Sequence, residues 1–100
     1  MDLSVVVATL NGRDALETCL DALAEAAPGA ERIVVNGPSA DGTTGMVRSR
    51  DDVDVLLELA DRNVNVARNA GLEAATGEAI AFVDEWTAVT EGWAETTTAL

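Results

Sequence analysis

The sequence predicts an α/β domain in which helices cover both faces of a mainly parallel sheet. Three observations predict it: four short apolar runs, segments with helical periodicity between them, and turn residues at the junctions. Strands that alternate with helices are joined by right-handed crossovers, so their carboxyl ends share one edge of the sheet. We treat residues 1–100 as one small domain, because a chain of this length supports a single core.

The four apolar runs are the predicted strands. Residues 3–8 are rich in Val, and residues 32–36 end at the turn-forming sequence GPSADG. Residues 53–59 largely alternate apolar and polar side chains, which suits a strand with one more buried face. Residues 79–83 are apolar throughout and lead into the sequence DEW. Since parallel sheets bind ligands at the carboxyl ends of their strands, the polar loops after these runs are the candidate site.

Helical periodicity predicts a long helix after the first strand. Across residues 13–27, apolar side chains recur every three or four positions, and Pro28-Gly29 ends the helix. One of them, Cys19, is the only cysteine, so it has no disulfide partner within the chain and is predicted to lie in the core. A short helix follows the GPSADG turn, with Asp41 or Ser39 as its cap.

A third helix is predicted over residues 64–76, with small residues along its inward face. Gly71 inside it costs about 1 kcal/mol relative to Ala, which indicates close packing against a neighbouring element. Residues 91–100 begin a further helix.

The composition is strongly acidic, with 18 Asp and Glu, six Arg, no Lys and no His, for a net charge of −12. Nucleic-acid binders need a basic face, so the charge disfavours that partner class. An acidic excess without Lys is typical of proteins from salt-loving organisms, where about 1 M salt shortens the Debye length to roughly 3 Å. The alternative is an acidic surface in ordinary cytoplasm. With neither a secretion signal nor an apolar stretch of membrane-spanning length, we expect a cytoplasmic location, and oligomer formation stays open.

Two well-known phosphate-binding motifs are absent: GxGxxG after the first strand, and GxxxxGK[ST]. Dehydrogenase and P-loop functions therefore lose their main support. What remains is a polar loop after each strand and an acidic residue after the last one. This layout suits a nucleotide diphosphate bridged by a metal ion.

Three segments resemble family 2 glycosyltransferases in order and spacing. SVVVATLNG is similar to the family's SVVIPTYN, RIVVNGPSADGT to IVVDDGSTDGT, and NVARNAGLEAATGEAIAFVDE to SAARNAGLEAATGEYIAFLDAD; together they run from Leu3 to about Trp93. The resemblance implies a Rossmann-like GT-A fold and inverting transfer of a sugar from a nucleotide-diphosphate donor to an acceptor hydroxyl. It also implies that these 100 residues are the donor-binding half, without the general base, and the acceptor stays unidentified.

Carried over position by position, the resemblance implies a set of residues that bind the nucleotide sugar: Thr9, Asn11, Asn36, Arg68, Asn69 and Asp84. Arg68 offers a planar fork of donors and a local attraction for an anion. A salt bridge from Arg68 to Asp61 or Glu73 is the structural alternative. The chain departs from the family at Leu10, where the family has Tyr, and at Gly37, where it has Asp.

The resemblance also implies a divalent cation, Mg²⁺ or Mn²⁺, at the sequence DEW. Such ions require oxygen ligands, and Trp86 replaces the family's last acid with an indole that offers none. Three alternatives follow: Glu85 takes over as ligand, Asp84 binds the ion alone, or the site has lost its metal.

Two other functions stay open at this point. One is a non-catalytic nucleotide-binding or interaction domain that kept the fold after losing Asp at positions 37 and 86. The other is a nucleotidyltransferase of similar topology, for which Asn11-Gly12-Arg13 is a faint match to the glycine-rich loop that such enzymes need.

Overall fold

Within residues 3–84, four strands alternate with three helices. The computed structural model describes these residues, apart from the side chains of Val64 and Asp84. The elements in chain order are β1 Leu3–Thr9, α1 Arg13–Ala26, β2 Glu31–Asn36, α2 Thr43–Arg48, β3 Val55–Glu58, α3 Val64–Ala74 and β4 Ala79–Asp84. The four strands are parallel and form one sheet in the order β3-β2-β1-β4. The predicted α/β class and parallel sheet are confirmed, and the helix predicted for residues 91–100 lies outside the described residues.

The strand register brings the predicted site positions to one edge of the sheet. Thr9 of β1 is paired with Asn36 of β2, and Ala8 of β1 is paired with Asp84 of β4. Asn36 is in turn paired with Glu58 at the end of β3. All four strands therefore end within about one residue of each other, and the loops that follow β1, β2 and β3 emerge side by side.

Two separate clusters of apolar side chains cover the two faces of the sheet. On one face, Val5 and Val7 of β1 pack with the buried side of α1 and with α2. On the other face, Val6 and Ile33 pack against the small residues of α3, including Ala67. This alternation along β1 follows from the two-residue period of a strand, and it gives the three-layer α/β/α arrangement.

Gly71 permits the close contact between α3 and the sheet. A Cβ on this residue would lie 2.2 Å from Cγ1 of Val6 and 3.3 Å from Cγ2 of Val35. No side chain fits at the first of these distances, so any larger residue would push α3 away from β1. The packing predicted for Gly71 from the sequence is confirmed, and Cys19 is buried in the opposite cluster, as predicted.

Arg32 joins the end of α1 to the sheet from a buried position, which the sequence analysis did not predict. Its Nη2 donates to the carbonyl oxygen of Ala27 at 2.8 Å, and its Nη1 donates to that of Asp52 at 3.1 Å. The last carbonyls of a helix lack partners within the helix, and a cation also suits the negative end of the helix dipole. Arg32 thus binds the last carbonyl groups of α1 and places a positive charge at its negative end, at the edge of the sheet opposite the candidate site.

Strand β3 and helix α3 are both shorter than predicted. In each case a hydrogen bond between a side chain and a backbone N–H group lies at the end of the predicted element. The carboxylate of Asp54 accepts a hydrogen bond from the backbone N–H of Arg32 at 2.8 Å, so β3 begins at Val55 and not at residue 53. At the end of α3, Glu31 binds the backbone N–H of Thr76 at 2.9 Å, and the helix ends at Ala74.

The N-cap residue of the short helix α2 is Gly42, which makes no side-chain capping bond, so the prediction of Asp41 or Ser39 as the cap residue is wrong. Asp41 lies one residue before it, and its Oδ1 accepts hydrogen bonds from the backbone N–H of Thr43 at 3.2 Å and from the Thr43 hydroxyl. Gly42 lies between them with φ of 88°, a left-handed conformation that glycine adopts without strain. Ser39 has a different role, described below. None of the helices in residues 3–84 is both long enough and apolar enough to cross a membrane.

Candidate functional site

A cleft of about 160 Å³ opens at the carboxyl ends of β1 and β4, between these strands and the start of α3. It is lined by Val6, Ala8, Thr9, Leu10, Gly37, Asp61, Arg62, Asn63, Ala67, Arg68, Phe82 and Val83. Six of these residues have apolar side chains, and the polar ones come from the end of β1, the loop after β3 and α3. Small-molecule sites usually measure roughly 300–1,000 Å³, so this cleft accommodates part of a ligand of nucleotide-sugar size.

Two arginines at this cleft have no partner in the described part of the chain. Arg62 and Arg68 are both exposed, and neither forms an ion pair or hydrogen bond with any residue that the structure describes. In particular, Arg68 does not form the salt bridge to Asp61 or Glu73 that was the structural alternative. The other four arginines are all engaged: Arg13 with Asp14, Arg32 with backbone carbonyls, Arg48 with Glu58, and Arg50 with Asp21 and Asp52.

The positions of Arg62 and Arg68 matter because the chain carries a net charge of −12. An anion is repelled by most of such a surface and attracted where cations are left without counter-charges. Guanidinium groups also present several N–H donors in one plane, which matches phosphate and carboxylate oxygens. With Asp61, which also lines the cleft, the two arginines give the described lining one net positive charge, which favours an anion there on an otherwise acidic protein.

Thr9 contributes an unsatisfied hydroxyl at the same cleft. The residue is 6% exposed, and its Oγ1 has no hydrogen-bond partner among the described residues. Leaving a buried polar atom unpaired costs about 1–3 kcal/mol, so such atoms are usually satisfied by a ligand or by ordered water. Because Oγ1 is itself buried, it is not exposed to the cleft in this structure.

The loops after β1 and β2 are joined by a chain of hydrogen bonds, which we call the loop latch. The backbone N–H of Asn11 donates to Oγ of Ser39 at 2.8 Å, and Oδ1 of Asn11 accepts from the backbone N–H of Ala40 at 2.7 Å. Ser39 donates to Oδ1 of Asn36 at 2.6 Å, and Nδ2 of Asn36 donates to Oγ1 of Thr44 at 2.9 Å. These bonds fix the two loops relative to each other.

The predicted site residues fall into a cleft group, a loop-latch group and a group of metal ligands, and Asn69 lies outside these three groups. Thr9 and Arg68 line the cleft, whereas Asn11 and Asn36 make up the loop latch, with Asn36 only 1% exposed. Asn69 is exposed on α3 and is not among the residues that line the cleft.

The predicted metal ligands are the third group. Asp84 ends β4 opposite Ala8, but its side chain lies outside the described part, as do Glu85 and Trp86. The described residues contain no cluster of three or more Asp, Glu, His or Cys side chains that could hold a metal ion.

Arg62 is the cleft residue that the sequence analysis missed as a candidate. It lies in the sequence Asp61-Arg62-Asn63, which was interpreted only as the end of the third strand. Two signals in the sequence could have indicated Arg62. It is one of only six basic residues, and it follows a strand at the edge where parallel sheets bind ligands.

The amino end of α1 is occupied by the protein itself. Oδ2 of Asp41 accepts a hydrogen bond from the backbone N–H of Arg13 at 3.1 Å. The pKa of Asp41 is lowered, first by the hydrogen bond from the Thr43 hydroxyl and then by that from the Arg13 amide, so the carboxylate stays charged at neutral pH. A helix amino end is a frequent phosphate site, but here a carboxylate already lies against it. An anionic ligand is better accommodated at the arginines of the cleft.

The chain has relatives of known sequence. The profile of Glycosyl transferase family 2 matches residues 4–98. The succinoglycan biosynthesis protein ExoO of Rhizobium meliloti is 40% identical over 86 residues, which covers 83% of this chain and 25% of that protein. The chain spans only a quarter to a third of the length of the curated relatives that it matches.

Solved structures share the same fold. S. aureus TarS 1-349 superimposes with a TM-score of 0.85 at 26% identity, over 99% of this chain and 32% of that one. The mannosyltransferase PcManGT from Pyrobaculum calidifontis, solved with GDP-Man and Mn²⁺, gives a TM-score of 0.75 at 31% identity, over 84% of this chain and 27% of that one. The GT-A-like fold expected from the sequence is thereby confirmed. With 95 of its 100 residues matched by the family profile, the chain belongs to glycosyl transferase family 2.

Proposed function

We propose that this chain is the donor-binding half of a glycosyltransferase, and that the nucleotide of a nucleotide-diphosphate sugar lies in the cleft. One observation carries the proposal: two arginines that have no ion-pair or hydrogen-bond partner within residues 3–84 line a cleft at the carboxyl ends of parallel strands. A diphosphate is the kind of anion that two guanidinium groups bind well.

Relatives with known ligands support this donor class. PcManGT, 31% identical to this chain, was solved with GDP-Man and Mn²⁺, and TarS, 26% identical, was solved with UDP. The base and the sugar for this chain are left open by these two cases, which differ in their nucleotide.

The reaction that follows is displacement of the nucleotide diphosphate by an acceptor hydroxyl at the anomeric carbon, with inversion. Negative charge grows on the departing diphosphate as its bond to the sugar breaks. Arg62 and Arg68 would stabilise that charge through N–H donors that are already in place before the reaction. Residues 3–84 are proposed to supply the donor contacts of this reaction, and the general base and the acceptor site are proposed to lie outside them.

We further propose that a divalent cation binds with the donor through Asp84 and Glu85. A hard cation such as Mg²⁺ or Mn²⁺ binds through one or two carboxylates when substrate phosphates supply further oxygens, which fits a sequence in which Trp86 replaces the third acid. When bound, the ion would neutralise charge on the diphosphate. Arg62 and Arg68 would attract and orient the donor whether or not the cation is bound.

Calorimetric titration of the chain with UDP and GDP, with Mn²⁺ and then with excess chelator, tests both proposals. Binding that the chelator weakens at least tenfold supports a donor site with a metal. Binding that the chelator leaves unchanged would support the second candidate, a non-catalytic nucleotide-binding domain, which is favoured by Gly37 and Trp86 at positions where the family has acidic residues. No binding of either nucleotide under any condition would reject the donor site.

A further inference from the structure

Arg62 lies in a short connection that is fixed at both ends. Before it, the backbone N–H of Leu59 donates at 2.9 Å to the carbonyl oxygen of the last residue of β2. After it, Asn63 is the N-cap of α3, and its side chain accepts a hydrogen bond at 2.8 Å from a backbone N–H in the first turn of the helix. Only residues 60–62 join these two points, so the direction of Arg62 depends on how this connection is folded.

Asp61 closes the connection into a hydrogen-bonded turn. Its Oδ1 accepts from the backbone N–H of Asn63 at 2.8 Å, and Arg62 is the residue that this bond encloses. Asp and Asn side chains often bind the backbone two residues further on in this way. The backbone of Asp61 also lies close to the loop after β2, since a Cβ on Gly37 would be 3.6 Å from its carbonyl oxygen. The turn therefore holds the backbone of Arg62 at the cleft.

The charge of Asp61 opposes the binding of an anion in the cleft that it lines. Within residues 3–84, its carboxylate forms an ion pair with neither Arg62 nor Arg68, although all three residues line the cleft. It therefore does not hold these guanidinium groups by charge, and it repels the anion that they attract. Because the hydrogen bond of this carboxylate goes to a backbone N–H, its contribution to the site is the acceptor oxygen and not the charge.

We propose that Asp61 is a positioning residue for diphosphate binding, because its Oδ1 folds the backbone that directs Arg62 into the cleft. The inference rests on the proposed donor function, in which Arg62 contacts the diphosphate. A carboxylate combines an acceptor oxygen with a negative charge, whereas the asparagine amide supplies the oxygen alone. Replacements of Asp61 by Asn and by Ala should therefore change the affinity in opposite directions.

Calorimetric affinities for UDP and inorganic pyrophosphate in Asp61→Asn and Asp61→Ala test this expectation. Asp61→Asn should bind both ligands roughly threefold more tightly than wild type, because the turn is kept and the repulsion is removed. Asp61→Ala also removes the repulsion but opens the turn, so it should bind both ligands roughly threefold more weakly than wild type. Pyrophosphate has neither base nor sugar, so similar effects on both ligands assign the change to the phosphates.

The same substitution in an Arg62→Ala background tests whether Asp61 acts through Arg62. Without that guanidinium the turn has no side chain to direct, so Asp61→Ala should no longer weaken UDP in this background.

Asp54→Ala is the matched control for the lost hydrogen bond. Asp54 also accepts from a backbone N–H at 2.8 Å, that of Arg32, but at the opposite edge of the sheet. Its replacement should lower the melting temperature and leave the affinity for UDP within about twofold of wild type. Thermal melts of the variants at position 61 check that the fold is retained.

The outcomes distinguish the role of Asp61 from the donor function. If wild type does not bind UDP, the donor function fails and the role of Asp61 with it. If wild type binds UDP but Asp61→Asn binds it more weakly, the carboxylate itself serves the ligand and the positioning role alone is rejected. This comparison decides by itself if Asp61→Ala does not fold. A folded Asp61→Ala that binds UDP as well as wild type, or that still weakens UDP without Arg62, would also reject the role.

Discussion

Asn11 donates its backbone N–H to Oγ of Ser39 at 2.8 Å, which ties the loop after β1 to the loop after β2. Asn11 lies in the left-handed region with φ of 51°, where Asn is among the residues most easily accommodated. Both loops carry residues of the cleft, Leu10 on one and Gly37 on the other. The loop latch therefore sets the shape of the cleft before any ligand arrives.

Replacing Ser39 by Ala should loosen this arrangement. The change removes an acceptor for Asn11 and a donor for Asn36, so we expect the free energy of unfolding to fall by about 1–2 kcal/mol in urea titrations. Nucleotide affinity should fall as well, because the two loops lose their fixed spacing. Thr18→Ala is the matched control. The Thr18 hydroxyl donates to the carbonyl oxygen of Asp14 on the exposed side of α1, within the same helix. Unchanged stability and affinity in Ser39→Ala would contradict the role of the latch.

Gly71→Ala should destabilise the protein by about 1–3 kcal/mol, because the new methyl group overlaps Val6. Gly45 in α2 provides a control within the same chain, since a Cβ there meets nothing within 4 Å. Gly45→Ala should be neutral or stabilising by up to about 1 kcal/mol. Urea unfolding of both variants measures the contrast. Equal effects at the two positions would show that α3 does not pack on β1 at this distance.

The sequence predicted most of the fold because periodicity reports which faces are buried. The alternation along β1 and the helical spacing in α1 both follow from that rule, and Gly71 stood out as a misfit inside a helix. The early end of α3 could not be predicted, since it depends on Glu31 binding Thr76 across 45 residues. Side chains that act on distant backbone groups leave no local pattern.

The site was predicted less completely than the fold, for a related reason. The family resemblance indicated Thr9 and Arg68, which line the cleft, and Asn36, which forms part of the loop latch; their ligand roles stay predictions. Arg62 became a candidate only when the partners of the other arginines were known. Arg50, for instance, is paired with Asp21, which is 29 residues away in the chain.

Lowering the pH should weaken the hydrogen bonds that Glu31 accepts from Thr76, after the end of α3, and from Ser4 of β1. The pKa of Glu31 is lowered by hydrogen bonds, first from the backbone N–H of Thr76 and then from the Ser4 hydroxyl. Because the folded pKa lies below the unfolded value, the stabilising contribution is present above the unfolded pKa of about 4.3 and is lost as pH falls through the folded pKa.

Urea unfolding between about pH 7 and pH 3 should show this dependence in wild type and a weaker one in Glu31→Gln. Glu17→Gln, which removes the same charge from the exposed side of α1, is the control. If Glu31→Gln unfolds with the same pH dependence as wild type, the carboxylate does not carry this effect.

Salt should stabilise the chain, since a net charge of −12 repels itself within a small domain. We expect the melting temperature to rise between about 0.2 M and about 2 M KCl as the Debye length shortens. A variant with exposed Glu17, Glu25, Glu73 and Glu78 changed to Gln should show a smaller rise. An equal rise in that variant would mean that the salt effect does not come from surface charge.

The most direct test of the donor site compares arginines that carry the same charge in different places. Calorimetric affinities for UDP and GDP should fall about tenfold or more in Arg62→Ala and in Arg68→Ala, because each loses a charge-assisted contact to the diphosphate. Arg48→Ala removes the same charge from α2, where that arginine is paired with Glu58, and should change the affinity by less than about twofold. Equal losses in all three variants, or no loss at Arg62 and Arg68, would contradict a nucleotide diphosphate bound in this cleft.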